Sequence, residues 1–304
     1  MAKKKRKKQE DLPEGMTRRQ AKLAARAKER EALQKDPRPF GGLAAEADLI
    51  AMQEFVPSAS AKLEVDGTEV TLVTVLPGAG AALVREEAQG GERLVALQAA
   101  SHSQNPGRDL AFALQWVVDA KPGESLQSTA ADGSQPELSS LIDAAWTPQV
   151  TTYPDFNWWF AEGEDVPAQL RQAMTQANDA VWPSAQVEAE VPGAVWWVNP
   201  GGGKAHIRWI RTEDNEAKML AALARIAAKG ELVLGEGTKF AGAFRTHGVV
   251  VPVWDLDPEV APESYKEALE SLNAKIEAEY ANDAQLNADE RKQLDNIKSR
   301  QVTI

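Results

Sequence analysis

The residue types best suited to chemistry gather in one short segment, Arg245-Thr246-His247-Gly248, followed closely by Asp255 and Asp257. Arginine presents a fixed fork of donors to anions, histidine exchanges protons near neutral pH, and glycine permits a tight turn. Apolar, β-rich runs on either side would hold that turn on a rigid edge. His247, Arg245 and Asp255 are therefore the candidate catalytic residues, for acid–base or anion-handling chemistry whose reaction and substrate the sequence does not specify. The same pattern also describes a plain hairpin whose polar groups face water. The remaining histidines, His102 and His206, do not complete a zinc site, because no histidine pair stands in a His-x3-His or His-Glu-x-x-His spacing. A Ser-His-Asp triad can be assembled in space, but no Gly-x-Ser-x-Gly elbow nominates its serine. The absence of cysteine excludes disulfides, thiolate metal sites and cysteine nucleophiles.

Two glycine-rich runs invite a nucleotide reading and fail it. Gly201-Gly202-Gly203-Lys204 has Val198 where a phosphate-binding loop needs its first glycine, and Ala205 where it needs Ser or Thr. The residues beyond it read as a strand and not a helix, so the run is expected to be a hairpin connection. Gly78-Ala79-Gly80 lacks the third glycine and the downstream acid of a dinucleotide fingerprint. No metal and no cofactor is expected.

The charge distribution supplies a different chemistry. Residues 1–38 carry 14 Lys/Arg against 6 Asp/Glu, a net of +8, whereas the remainder carries 20 against 39, a net of −19. Lys3, Lys4, Lys5, Arg6, Lys7 and Lys8 form one cluster, and Arg18, Arg19, Lys22 and Arg26 recur along the segment that follows. A basic device on an acidic body points to RNA, DNA or ribosome as partner, since phosphate attraction needs only positive charge and a pliable backbone. An anionic membrane surface is an alternative, weakened by the lack of apolar anchors in the arm. A tail folded back on its own acidic body is another. No apolar run approaches the ~18 residues of a membrane span, and the basic cluster leads into Gln9, Glu10 and Asp11 instead of a signal-peptide core, so a cytoplasmic location is expected.

The elements that must position these residues follow from periodicity. Met1 to Gly15 reads as disordered; Thr17 caps a helix to about Gln34 that is marginal alone, and Asp36-Pro37-Arg38-Pro39 stops it as a stiff linker. Helices are expected over Leu43–Phe55, Asp109–Lys121, Ala168–Val181 and Asn215–Ala228. Strands are expected over Ala61–Val65, Val70–Leu76, Ala82–Arg85, Leu94–Leu97, Gln186–Val191, Val195–Val198 and His206–Ile210. Val249–Trp254 is also β-rich, but Pro252 marks it as an edge or irregular strand. Tyr265, Leu269, Leu272, Ile276 and Tyr280 share one face of a long C-terminal helix, and Asn287 with Glu290 caps a shorter one. Trp158-Trp159 and Trp196-Trp197 read as strand pairs, one member facing a core and the other covered by helices.

The second half repeats the order of the first, so the fold class is α+β, with two similar helix/antiparallel-sheet/helix units in tandem. The expected division is 1–41 for the arm and linker, 42–148 and 149–257 for the units, and 258–304 for the C-terminal helices. Met16-Thr17-Arg18-Arg19-Gln20-Ala21-Lys22-Leu23-Ala24-Ala25-Arg26, Pro37-Arg38-Pro39-Phe40, Phe55-Val56-Pro57-Ser58-Ala59 and Phe244-Arg245-Thr246-His247-Gly248-Val249-Val250-Val251-Pro252-Val253-Trp254-Asp255-Leu256 together resemble an actinobacterial family of unknown function. The resemblance runs nearly the whole chain through residue 257. It implies a bacterial cytoplasmic origin and carries no catalytic residues across. The functional expectation is a binding or adaptor protein more than an enzyme: the arm attaches to nucleic acid or the ribosome, and the acidic body engages a protein partner.

Overall fold

The computed structural model describes residues 36–129, 134–160 and 166–303, together with Arg19, Gln20, Lys22, Leu23 and Arg26 of the arm. Those five arm residues are helical and exposed. The Lys3–Lys8 cluster, the Thr17 cap and Arg18 lie outside the described residues.

The body holds two six-stranded sheets in tandem. The first comprises β1 (Ala59–Val65), β2 (Thr68–Val73), β3 (Ala82–Val84), β4 (Arg93–Ala96), β5 (Ser125–Leu126) and β6 (Thr151–Thr152), in the order β5-β3-β4-β2-β1-β6. The second comprises β7 (Ser184–Gln186), β8 (Ala194–Val198), β9 (Ala205–Ile210), β10 (Lys239–Thr246), β11 (Val249–Leu256) and β12 (Val302–Thr303), in the order β12-β10-β11-β9-β8-β7. Read from β6 and from β7 the two orders correspond strand for strand, which is the tandem organisation expected from sequence. Both sheets are mixed. The parallel pair is β2–β4 in the first and β10–β12 in the second, so β4 and β3 run opposite to their counterparts β11 and β10 while the edge strands keep the same polarity.

Among the described residues six α-helices complete the body: α1 (Glu46–Glu54), α2 (Pro106–Asp119), α3 (Ala168–Asn178), α4 (Glu216–Ala228), α5 (Lys266–Tyr280) and α6 (Ala288–Ser299). Asn105, Asn215 and Asn287 each accept a first-turn backbone N–H at the start of α2, α4 and α6, and Glu290 closes the capping box of α6. Alternation along the strands builds a layered stack. Val70, Leu72 and Val95 face α1 and α2, and the far side of α1 packs on Trp196, Val198 and Val251 of the second sheet. The opposite face of that sheet, with Trp197, Trp209 and Trp254, is covered by α4, α5 and α6. The C-terminal helices therefore pack on the body, with Leu269, Leu272 and Ile276 buried as their spacing requires. Trp196 and Trp197 divide between the two cores, as adjacent strand residues must. By contrast α3 buries no residue.

Three local expectations are corrected. β11 is irregular at Pro252 but is not an edge: it is an interior strand, flanked by β10 and β9. Proline has no N–H to donate, and the ladder with β9 is interrupted at that point, between the Val253–Arg208 pair and a single bridge at Val250–Arg211, without losing register. Trp158-Trp159 is not a strand pair but part of a short helical turn, Asn157–Trp159, which Arg85 fixes by donating to the Trp158 and Trp159 carbonyls at 2.8 and 3.0 Å. The strand expected over Gln186–Val191 stops at Gln186. Beyond it, the Ala189 and Val191 amides bond carbonyls only two residues back, which curls the chain away from β8.

Candidate functional site

Where the two units meet, the chain leaves a cleft of about 920 Å³. Its walls are the end of α1 at Gln53 and Glu54, the loop from Leu97 to Pro106 leading into α2, the β10–β11 turn, and Asp36-Pro37. The turn is a two-residue hairpin with positive φ at His247 (46°) and Gly248 (79°). A two-residue hairpin of the first sheet, between β1 and β2, uses Asp66-Gly67 at 49° and 75°. Asp-Gly is the pair such a turn favours; histidine in the left-handed region is uncommon, a feature that concentrates at functional sites.

His247 is held on two sides. Its Nε2 lies 2.8 Å from Glu54 Oε1, and its ring sits 5.6 Å from that of Phe40. In the neutral ring, Nε2–H donates to the carboxylate and Nδ1 remains as the acceptor. Beside it, Thr246 Oγ1 and Gln53 Oε1 are buried without a hydrogen-bond partner among the described residues. Across the cleft His102 is exposed, with Nδ1 2.7 Å from the Ser103 carbonyl. Ser103 is not a free nucleophile. Its hydroxyl donates to Asp109 Oδ2 at 2.9 Å and accepts from the Asn105 amide at 3.0 Å, organising the start of α2. Burial pushes the Asp109 carboxyl up from its ordinary pKa, opposed by hydrogen bonds from Ser103 and Thr129. The cleft thus offers hydrogen-bonding groups and one oriented imidazole, in an arrangement suited to holding a polar ligand.

The candidate residues read from sequence do not all converge. Arg245 lines the same cleft as His247, and its Nε is 3.1 Å from Glu216 Oε2. Asp255 stands at the opposite end of β11, ~26 Å along the strand by its rise per residue. There it pairs with Lys204 at 2.6 Å and lies 3.2 Å from His206 Nδ1. Lys204 closes the loop Gly201-Gly202-Gly203, whose glycines all have positive φ and join β8 to β9 as a hairpin connection. Burial lowers the pKa of His206 despite Asp255. Among the described residues, no three of His, Asp and Glu come together as a metal-ligand group.

Glu54, Gln53 and the Ser103–Asp109 pair were not visible as site residues from the sequence, and the docking of the linker was not visible either. Arg38 grips Glu46 through Nε and Nη2 at 2.5 and 2.8 Å, Asp214 at 2.5 Å and the Thr212 carbonyl at 2.5 Å, which ties α1 to the second unit. Both carboxylates hold the guanidinium pKa above its ordinary value. Phe40 is fully buried beside His247. The flanking backbone is threaded between two glycines. A Cβ on Gly248 would lie 2.4 Å from the Pro37 carbonyl, and one on Gly107 would lie 2.5 Å from that of Pro39. The basic arm therefore begins at a fixed point on the cleft rim.

No curated protein and no solved structure matches the chain. The sequence model of a family of unknown function (DUF5926) matches residues 39–304, from the docked Pro39-Phe40 through both sheets and the C-terminal helices. The chain belongs to that family.

Proposed function

We propose that the protein is a binding adaptor: its basic arm attaches to RNA, DNA or the ribosome, and its acidic body presents a second surface to a protein partner. The observation that carries this reading is the docking of Asp36 to Phe40, which gives the arm a rigid root beside the cleft. A polyanion held by Lys3–Lys8, Arg18, Arg19, Lys22 and Arg26 is then tethered to one edge of a body that, at a net of −19 beyond residue 38, repels it elsewhere. Among the described residues no helix is long and apolar enough to cross a membrane. The test is sedimentation of lysate through a density gradient with intact protein and a form lacking residues 1–35. Co-migration of only the intact form with ribosomes or nucleic acid, reversed by nuclease, is expected. Nuclease-resistant attachment to anionic vesicles would move the arm's target to the membrane surface and overturn the reading.

A second reading is favoured by the His247–Glu54 pair. An imidazole oriented by a carboxylate, at 2.8 Å in a cleft of about 920 Å³, is the geometry of a general base. In that reading the enzyme site is His247 with Glu54, and Arg245 at the rim meets an anionic group, while Asp255 takes no part. His247→Asn keeps a side chain tolerant of left-handed backbone and removes the base. Any turnover found in a substrate screen should vanish in this variant, and its survival would discard the reading.

A further inference from the structure

Away from the cleft, Arg208 lacks the carboxylate that Arg85, Arg211 and Arg225 have. The buried arginines Arg85, Arg211 and Arg225 pair with Glu92, Glu213 and Glu279, and the quarter-exposed Arg38 pairs with Glu46. Arg208, on β9, has no carboxylate among the described residues within ion-pairing distance, in a chain where Asp and Glu outnumber Lys and Arg by 45 to 34. Its guanidinium lies over the rings of Phe55 and Phe244 at 5.0 and 6.0 Å, and its Nε is buried without a hydrogen-bond partner. Burial accordingly holds its pKa below the ordinary guanidinium value.

In front of Arg208 the sheet opens. The register of β10 slips between Phe240 and Gly242, and the missing side chain of Gly242 leaves a pocket of about 170 Å³. His206, Phe244 and Val253 bound it, and Arg300 stands at its edge, exposed and with no side-chain partner among the described residues. A part-buried guanidinium whose Nε is buried without a partner is costly, and a bidentate oxyanion is what satisfies it best. The volume falls below that of sites for drug-sized ligands, which restricts the occupant to a compact group. We propose that Arg208 and Arg300 form a binding site for a small oxyanion, a phosphate or carboxylate group of a metabolite. Phe55 and Phe244 keep water from the inner cation, while Arg300 closes over the outer oxygens.

The test uses the full chain, with inorganic phosphate and succinate as separate titrants at an ionic strength matched with chloride, followed by calorimetry and thermal melting. Saturable binding of one titrant is expected, and which one binds distinguishes the two sources. Arg208→Met should weaken that binding by roughly ten- to a hundredfold, the worth of charge-assisted hydrogen bonds. Arg300→Ala, at an exposed position that does not threaten folding, should weaken it by about tenfold. Both variants retain the basic arm, so loss of binding isolates the pocket. In anion-free buffer Arg208→Met should melt no lower than the wild type, because methionine fills the stem's volume and removes an uncompensated charge. A lower melting temperature there would make Arg208 a structural cation and overturn the proposal. So would the absence of any saturable effect beyond chloride, or an effect unchanged in both variants.

Discussion

Replacing Arg38 by methionine keeps most of the side chain's stem and deletes the guanidinium that binds Glu46, Asp214 and the Thr212 carbonyl. Glu46 is only 4% exposed, so its carboxylate would be left buried with no cation against it. Breaking a buried pair from one side costs roughly 3–5 kcal/mol. The Arg38 side chain is one-quarter exposed and Asp214 almost fully so, which places the expected loss near the lower end, about 3 kcal/mol. In urea this should lower the unfolding midpoint by ~1 M if the slope is roughly 3 kcal/mol/M. Adding Glu46→Gln removes the stranded charge, so the double variant should recover most of the loss and the cycle should show a coupling of roughly 2 kcal/mol. Proteolysis near Asp36 should rise in the single variant, because the arm's root is released. A single variant costing less than about 1 kcal/mol, or a cycle additive within about 0.5 kcal/mol, would refute the view that this pair anchors the arm.

Two further predictions concern backbone and charge. Gly248→Ala places a Cβ 2.4 Å from the Pro37 carbonyl at a φ of 79°, whereas Gly67→Ala meets nothing within 4 Å at a φ of 75°. The first should cost at least ~2 kcal/mol and the second about 1 kcal/mol, and equal melting temperatures would contradict the threading of the linker. Burial raises the Asp48 pKa to about 6, opposed by a hydrogen bond from Gln186. The folded chain then retains a proton that the unfolded chain releases, so this group's contribution falls as pH rises from about 4 to 6 and destabilises by roughly 2–3 kcal/mol at neutral pH. Asp48→Asn should raise stability at pH 7 and flatten that part of the profile; an unchanged urea midpoint at pH 7 would show that the carboxyl is not buried at a cost.

Much of the fold was legible because the signals were local. Asn215 and Asn287 announced helix starts, alternation placed Trp196 and Trp197 on opposite faces, and the three-four spacing of Leu269, Leu272 and Ile276 fixed the buried side of α5. Pro252 misled because its effect depends on which neighbour its missing N–H would have met, and that is a property of the assembled sheet. The cleft was only half legible. His247 and Arg245 stood out by type, but Glu54 lies 193 residues from His247 in sequence and belongs to an α1 whose other acids face elsewhere. Asp255 looked close to His247 because eight residues are few along a chain, yet in an extended strand they span the sheet. Arg38, between two prolines, read as part of a spacer; its partners Asp214 and Thr212 are brought to it only when the two units pack on α1.

The central claim is that the arm is a polyanion-binding device on a body that is not one. The most direct measurement is the affinity of the intact chain, and of a form lacking residues 1–35, for mixed-sequence duplex DNA across a salt series. If the arm neutralises about six phosphates, the intact chain should lose affinity with a log–log slope near −5, and the shortened form should show no binding at low salt. Equal binding by both forms, or no binding by the intact chain at low salt, would contradict the account.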